Sequence, residues 1–253
     1  MARANKKGQM TVFVIIAVVL VASIVLFLFI NTKSPRINPA ENNPGSAIKS
    51  CVKDVVENNV NLIIPNAGFM EVENYKLYHG MKIMYLCQNI GNYIPCINQH
   101  PMLINEIQKE ILDYSNEGIK KCFSDAKQSL EKANNVVSMS SINASIGLAP
   151  GRVKTEIGAK IQFSKGEQST TIEDFDINLN SPIYDLANLA MIIANEQAKY
   201  CYFEYAGYMM LHPEIKIEVD TLSDATRIYT LTDKVSSKKM YFAIRSCAIP
   251  AGA

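Results

Sequence analysis

Asp174, Asp176 and Asn178 stand at the D-x-D-x-N spacing that opens a calcium loop, and Asp185 falls at the twelfth position of such a loop. The sixth position is Leu179, where the loop needs glycine for a sharp turn. Phe175, Ile177 and Leu179 alternate with the polar residues, which is the period of a strand with one wet face. The strand explains every residue, and no metal is assigned. His79, His100 and His212 are isolated, with no metal-ligand spacing beside them. Cys87, Cys96 and His100 have the atoms for a zinc site, but C-x8-C is not a zinc spacing and an oxidising exterior competes for the thiols. No nucleophile elbow, phosphate loop or dinucleotide fingerprint occurs, so no catalytic activity is identifiable and no cofactor is assigned.

The cysteines carry the clearest chemistry. Cys51, Cys87, Cys96, Cys122, Cys201 and Cys247 are even in number and all lie beyond residue 30. In an oxidising compartment they read as three disulfides. Six cysteines allow fifteen complete pairings. The expected set is Cys87–Cys96 as a local clip, Cys51–Cys122 between two helices, and Cys201–Cys247 from a long helix to the last strand. Tyr200, Tyr202, Phe203, Tyr205 and Tyr208 crowd one helical stretch. Packing takes some of them, and the tyrosines at 200, 202, 205 and 208 form a candidate contact surface for a glycan or a partner protein. Asn143-Ala144-Ser145 is an N-glycosylation sequon.

These residues need elements to position them. Residues 12–30 are apolar except for Ser23, a length that nearly matches the roughly 30 Å bilayer core when helical. Arg3, Lys6 and Lys7 make residues 1–11 a cytoplasmic basic segment, which favours export of the chain beyond residue 30. The run ends in Leu26-Phe27-Leu28-Phe29-Ile30 without a small-x-small site, so a retained transmembrane helix is expected rather than a cleaved signal. The chain holds 25 basic and 24 acidic residues, and three of the basic ones precede residue 30, which leaves the remainder at about −2. That balance argues against a nucleic-acid partner. Residues 31–45 are rich in Pro and Asn and read as a linker reaching roughly 40–45 Å at about 3.1 Å per residue.

Residues 46–253 then read as one extracellular domain. A helix begins near Ser46 as N-cap and ends before Pro65, with Ile48, Val52, Val56 and Val60 on one face. His79-Gly80 joins a hairpin. Pro101 opens a helix carrying Ile104, Ile107, Ile111, Ile119, Cys122 and Phe123, which Gly118 is expected to kink or split. Val153, Thr155, Ile157, Ala159, Ile161 and Phe163 alternate with polar residues as a half-buried strand. A long helix over about 182–211, a strand from Ile215 and a hairpin of 227–233 with 239–246 complete the chain. The elements come in blocks, so the class is α+β: an N-terminal transmembrane helix, then helices packed on an antiparallel β-sheet.

The first twenty residues, MARANKKGQMTVFVIIAVVL, resemble the class III signals of archaeal type IV pilin-like proteins. Thr11 and Phe13 stand where that pattern frequently has Ser and Glu. The resemblance implies cleavage between Gly8 and Gln9, with the apolar stretch retained. The remainder is similar to uncharacterised single-pass archaeal surface proteins. The reading is a membrane-anchored surface protein with a structural or recognition role, in contact with the bilayer through residues 12–30. A pilin-like filament subunit and an extracytoplasmic enzyme acting on envelope polymers are the alternatives.

Overall fold

Two amphipathic helices bury their stripes first against each other. The computed structural model describes residues 43–247. Helix α1 (Pro44–Ile63) starts where the Asn43 side chain accepts from the Ser46 N–H at 3.1 Å, with Pro44 in the first turn. Ser46, the expected cap, lies inside the helix, because Pro44 needs no amide partner and Asn43 supplies the better-placed oxygen. Ile48, Val52, Val56, Val60 and Ile63 form the buried stripe. Helix α2 (Leu103–Lys132) runs antiparallel to it, and the seam reads Cys51–Cys122, Val55 against Gly118, then Asn59 donating to Ser115 at 2.9 Å. Gly118 neither kinks nor splits α2. A Cβ there would sit 2.6 Å from Val55 Cγ1, so the missing side chain is what lets the two helices approach.

A four-stranded antiparallel sheet comes next: β4 (Val136–Met139), β5 (Asn143–Ala149), β6 (Arg152–Lys165) and β7 (Gln168–Asn180). β6 is central, with β7 along one edge and β5 then β4 along the other. Its burial alternates without a break from Arg152 to Gln162, and Phe163 is half-buried. Between Ile157 and Lys160 the register with β7 shifts by one residue, and Asp174 opposite takes a φ of +50°. This bulge lets both strands keep their apolar sets on the core side.

The second sheet is assembled from both ends of the domain. β1 (Tyr75–Tyr78) and β2 (Met81–Gln88) form the His79-Gly80 hairpin, with φ of +48° and +80° at the turn. β3 (Ile97–Asn98) pairs with β2, while β8 (Ile215–Thr221), β9 (Arg227–Asp233) and β10 (Lys239–Arg245) form a meander. β10 joins β2 in parallel. Helix α3 (Ile183–Tyr200) packs against strands of both sheets, and Phe123–Phe175 and Tyr229–Phe242 are aromatic pairs of the shared core. A small second core of Ile83, Tyr85, Ile228 and Ala243 is closed by Tyr78, Leu222 and Tyr241.

The expected class therefore needs correction. There are two sheets rather than one, and the β2–β10 pair makes one of them mixed. Among the described residues no helix is long and apolar enough to cross a membrane. The longest, α2, has charged residues such as Lys109, Glu110 and Asp113 within it. The expected transmembrane helix at 12–30, the basic segment 1–11, most of the linker and the Gly8–Gln9 site lie outside the described residues. The long helix expected over 182–211 is also broken. α3 stops at Cys201, which takes the left-handed conformation with φ of +57°, and α4 (Tyr205–Leu211) starts again after Glu204.

Candidate contact surface

The break between α3 and α4 is held from beneath by a buried polar network. Gln197, on the last turn of α3, is fully buried. Its Nε2 donates to the Tyr229 hydroxyl at 3.0 Å, and its Oε1 accepts from Arg227 Nη1 at 3.1 Å. Arg227 also donates to the Cys201 carbonyl at 3.3 Å. Ser246 Oγ donates to the Gln197 carbonyl at 2.9 Å and accepts from the Cys96 N–H at 3.0 Å. Both ends of the Gln197 amide are thus satisfied, as a buried amide requires. Burial pushes the Tyr229 hydroxyl above its ordinary pKa, which keeps it neutral as an acceptor for Gln197.

Two disulfides meet over this network. Cys87 is bonded to Cys96 and Cys201 to Cys247, with Cα separations of 5.4 and 5.7 Å, while Cys51–Cys122 closes the helix seam. These are the expected pairs, and no cysteine is left free among the described residues. The Cys247 N–H donates to the Ile94 carbonyl at 3.0 Å, so the loop at 89–97 is tied to the α3–α4 break. Arg245 Nη1 holds the same loop by donating to the carbonyls of Asn89 and Gly91.

The tyrosines take different roles around this frame. Tyr200 and Tyr202 are each 57 % exposed, and Lys199 lies over the Tyr200 ring, 4.7 Å from its centroid. Glu204 caps α4 by accepting from the Ala206 and Gly207 N–H groups at 3.1 Å, and its other oxygen accepts from the Tyr202 hydroxyl. The Tyr202 bond and those backbone bonds hold the Glu204 carboxyl below its usual pKa. Tyr205 is exposed, but Tyr208 is half-buried, stacked on His212 at 4.2 Å and set 5.8 Å from Phe203. The face therefore presents Tyr200, Tyr202 and Tyr205, with Tyr208 as support.

The loop at 89–97 extends this surface, although no motif marks it as a site. It exposes Ile90, Tyr93, Ile94 and Ile97. A signal for it exists in the sequence: no Asp, Glu, Lys or Arg occurs between Lys82 and Glu106.

The other sequence candidates serve structure. Asp174, Asp176 and Asn178 line the wet face of β7, and Asp185 accepts from the Gly151 N–H at 2.8 Å across the β5–β6 turn. His100 Nδ1 meets Glu106 Oε2 at 2.5 Å and packs on Phe69, while the thiols nearest in sequence are oxidised to each other. Among the described residues no group of three or more His, Cys, Asp or Glu could hold a metal ion. An open groove of about 540 Å³ beside Glu71, Glu73, Lys82 and Tyr241 contains no Ser, Thr, Cys or His in its lining. Asn143 is exposed at the start of β5. No protein-family model, curated protein or solved structure matches the chain.

Proposed function

We propose that the chain is an extracytoplasmic surface protein with a structural or recognition role, held at the membrane by the apolar run at residues 12–30. The observation that carries this reading is the pairing of all six cysteines into three disulfides. Disulfides of this kind persist outside the reducing cytosol. The partner is a surface protein or glycan, met through the aromatic face of Tyr200, Tyr202 and Tyr205 beside the Cys201–Cys247 bond. Tyrosine suits that role, because its ring offers large area at low entropic cost and its hydroxyl a hydrogen bond. The fresh start of α1 at a capped Asn43 supports an independently folded module over a filament subunit. Exposed Asn143 is then open to glycosylation.

The test is labelling of intact native cells with a membrane-impermeant amine reagent, read at exposed Lys154 and Lys160 by peptide mapping without reductant. Both lysines should be modified before lysis, the three disulfide-linked peptides should be recovered, and only detergent should release the protein from membranes. Labelling only after lysis, or six alkylatable thiols, would overturn the proposal.

A further inference from the structure

We infer that the Cys201–Cys247 disulfide is a thiol–disulfide exchange site, opened and re-formed by small thiols bearing a carboxylate while the other two disulfides stay closed. Exchange begins when a thiolate reaches a sulfur, so access decides which bond reacts. Cys247 lines an open groove of about 290 Å³ with Thr221, Leu222, Ser223, Arg227 and Ser246, room enough for a thiol of a few heavy atoms. Cys201 and Cys247 are both half-buried. Cys87 and Cys96 are only 0 % and 4 % exposed. Cys51 is half-buried like Cys201, but its partner Cys122 is 4 % exposed in the seam between α1 and α2.

The groove is also set for an anion. Arg227 stands in its wall, and the Nη1 of its guanidinium donates to Gln197 Oε1 and to the Cys201 carbonyl. Among the described residues no carboxylate forms an ion pair with Arg227. The acid nearest to it in sequence, Asp224 between the lining residues Ser223 and Ala225, is paired with Lys76 at 2.6 Å. The carboxylate of a small thiol is therefore drawn to Arg227 with its sulfur beside Cys247. The incoming thiolate bonds to Cys247 Sγ, the Cys201–Cys247 bond breaks, and its electron pair leaves on Cys201 Sγ. Cys201 ends α3, where the helix dipole disfavours an anion, and Arg227 at the Cys201 carbonyl offsets that field. A second thiolate then attacks the incoming sulfur of the mixed disulfide and releases Cys247. Two small thiols are oxidised to one disulfide, the protein disulfide is reduced to two thiols, and the two protons end on Cys201 and Cys247.

The backbone favours a reversible opening. Cys201 and Cys247 have φ of +57° and +43°, a left-handed conformation in which the β-carbon of an L residue is crowded. Cleavage lets both relax. Cys201 lies between Tyr200 and Tyr202, so the state of the bond sets how those two rings are presented. The surroundings are held by other means. Ser246 bridges the Gln197 carbonyl and the Cys96 N–H, Arg227 holds the Gln197 amide, and the Cys247 N–H is bonded to the Ile94 carbonyl. The two thiols thus stay neighbours, and the bond can close again across 46 positions without refolding of the domain. The inference rests on the pairing of these two cysteines, but not on export, on membrane attachment or on a partner for the aromatic face.

The experiment treats the full-length, disulfide-intact chain in detergent with mercaptoacetate or mercaptoethanol at equal thiolate concentration, quenches with a maleimide at intervals, and maps the peptides by mass spectrometry. Cys201 and Cys247 should be alkylated at least about tenfold faster than the other four cysteines, a thiol adduct should be trapped on Cys247, and the far-UV circular dichroism should not change. Mercaptoacetate should react faster than mercaptoethanol by about threefold or more. Arg227→Gln, which keeps amide donors for Gln197 and the Cys201 carbonyl, should remove that preference. Loosened structure would speed both thiols alike, so the ratio isolates the charge. Opening of Cys87–Cys96 or Cys51–Cys122 first, opening of all three bonds together with loss of the dichroism signal, or no opening at all would overturn the inference. Equal rates for the two thiols in the native chain would overturn the carboxylate-bearing class. Alkylation before any thiol is added would overturn the pairing itself, and with it the proposed function.

Discussion

Gly118→Ala pits two effects of known sign against each other. In an exposed helix interior the change would stabilise α2 by about 1 kcal/mol, because alanine loses less backbone entropy than glycine. Here the new methyl would stand 2.6 Å from Val55 Cγ1, 3.2 Å from Cγ2 and 3.5 Å from Cβ. Val55 cannot swing aside, since a β-branched residue in a helix has essentially one rotamer. The helices cannot separate either, because Cys51–Cys122 clamps them one turn away. Overpacking of this kind costs about 1–3 kcal/mol, which less the helix gain of about 1 kcal/mol leaves a net loss of up to about 2 kcal/mol. For a domain of this size that corresponds to a fall in Tm of up to about 8 °C. Urea unfolding of the disulfide-intact protein, followed by far-UV circular dichroism, measures it. Val55→Ala removes the obstructing methyls, so in the double variant Gly118→Ala should no longer be destabilising, giving a coupling of at least about 1 kcal/mol. A stabilising Gly118→Ala in the otherwise native chain would refute the close-approach account of the seam.

Three other outcomes are expected from the same structure. Ile157→Asp should cost at least about 3 kcal/mol by placing a carboxylate in the core, whereas Lys154→Ala, which removes only an exposed ion pair with Glu156, should stay within about 0.5 kcal/mol; similar values in urea melts would contradict the burial alternation of β6. Replacing Cys51 and Cys122 together by serine frees a loop spanning 71 positions and should lower stability by about 4 kcal/mol, against about 2.5 kcal/mol for Cys87 with Cys96 across nine positions, an order that denaturant midpoints would check. For Asp224, burial opposes ionisation, but the bonds from Lys76 and Thr226 outweigh it and hold the carboxyl below its usual range, while the bond to Asp224 raises Lys76. The carboxyl contribution is present above about pH 4 and lost as pH falls through its lowered value; the lysine contribution is present below about pH 10.5 and lost as pH rises through its raised value. Asp224→Asn should therefore differ from the native chain in neutral solution and converge with it at both extremes, and a pH-independent difference would count against the pair.

How much the sequence discloses depends on how local the cause is. The period-two pattern of β6 and β7 is written in adjacent residues, and their inward sets are those the alternation selects. Gly118 looks like a break because its reason, Val55, is 63 positions away and on another helix. The stop at Cys201 is equally invisible: a left-handed cysteine has no local signature and arises where the chain must turn toward Cys247 and offer its carbonyl as an acceptor to Arg227. β10 beside β2 obeys no pattern in either strand, since both are continuous apolar runs that would suit several neighbours. At the surface, the tyrosine cluster announces itself by composition. The loop at 89–97 shows only as missing charge, and its outward pose depends on Cys96 and Arg245, which sequence spacing alone does not bring together.

The parallel pairing of Tyr85 with Ala243 has a consequence for how the domain is made. Synthesis delivers the chain from its N-terminus, so β2 emerges with most of the domain still to come. Until β10 arrives, the strand edge of β2 is open to wrong partners, and contacts this far apart in sequence are slow to form. The Cys87–Cys96 clip can close as soon as residue 96 is out, and it pins the exposed end of β2 early. Cys51–Cys122 can close once α2 is complete, and Cys201–Cys247 must be last. The three bonds are nested or sequential in the chain and none crosses another, so each can form in order of emergence without any being broken and re-formed.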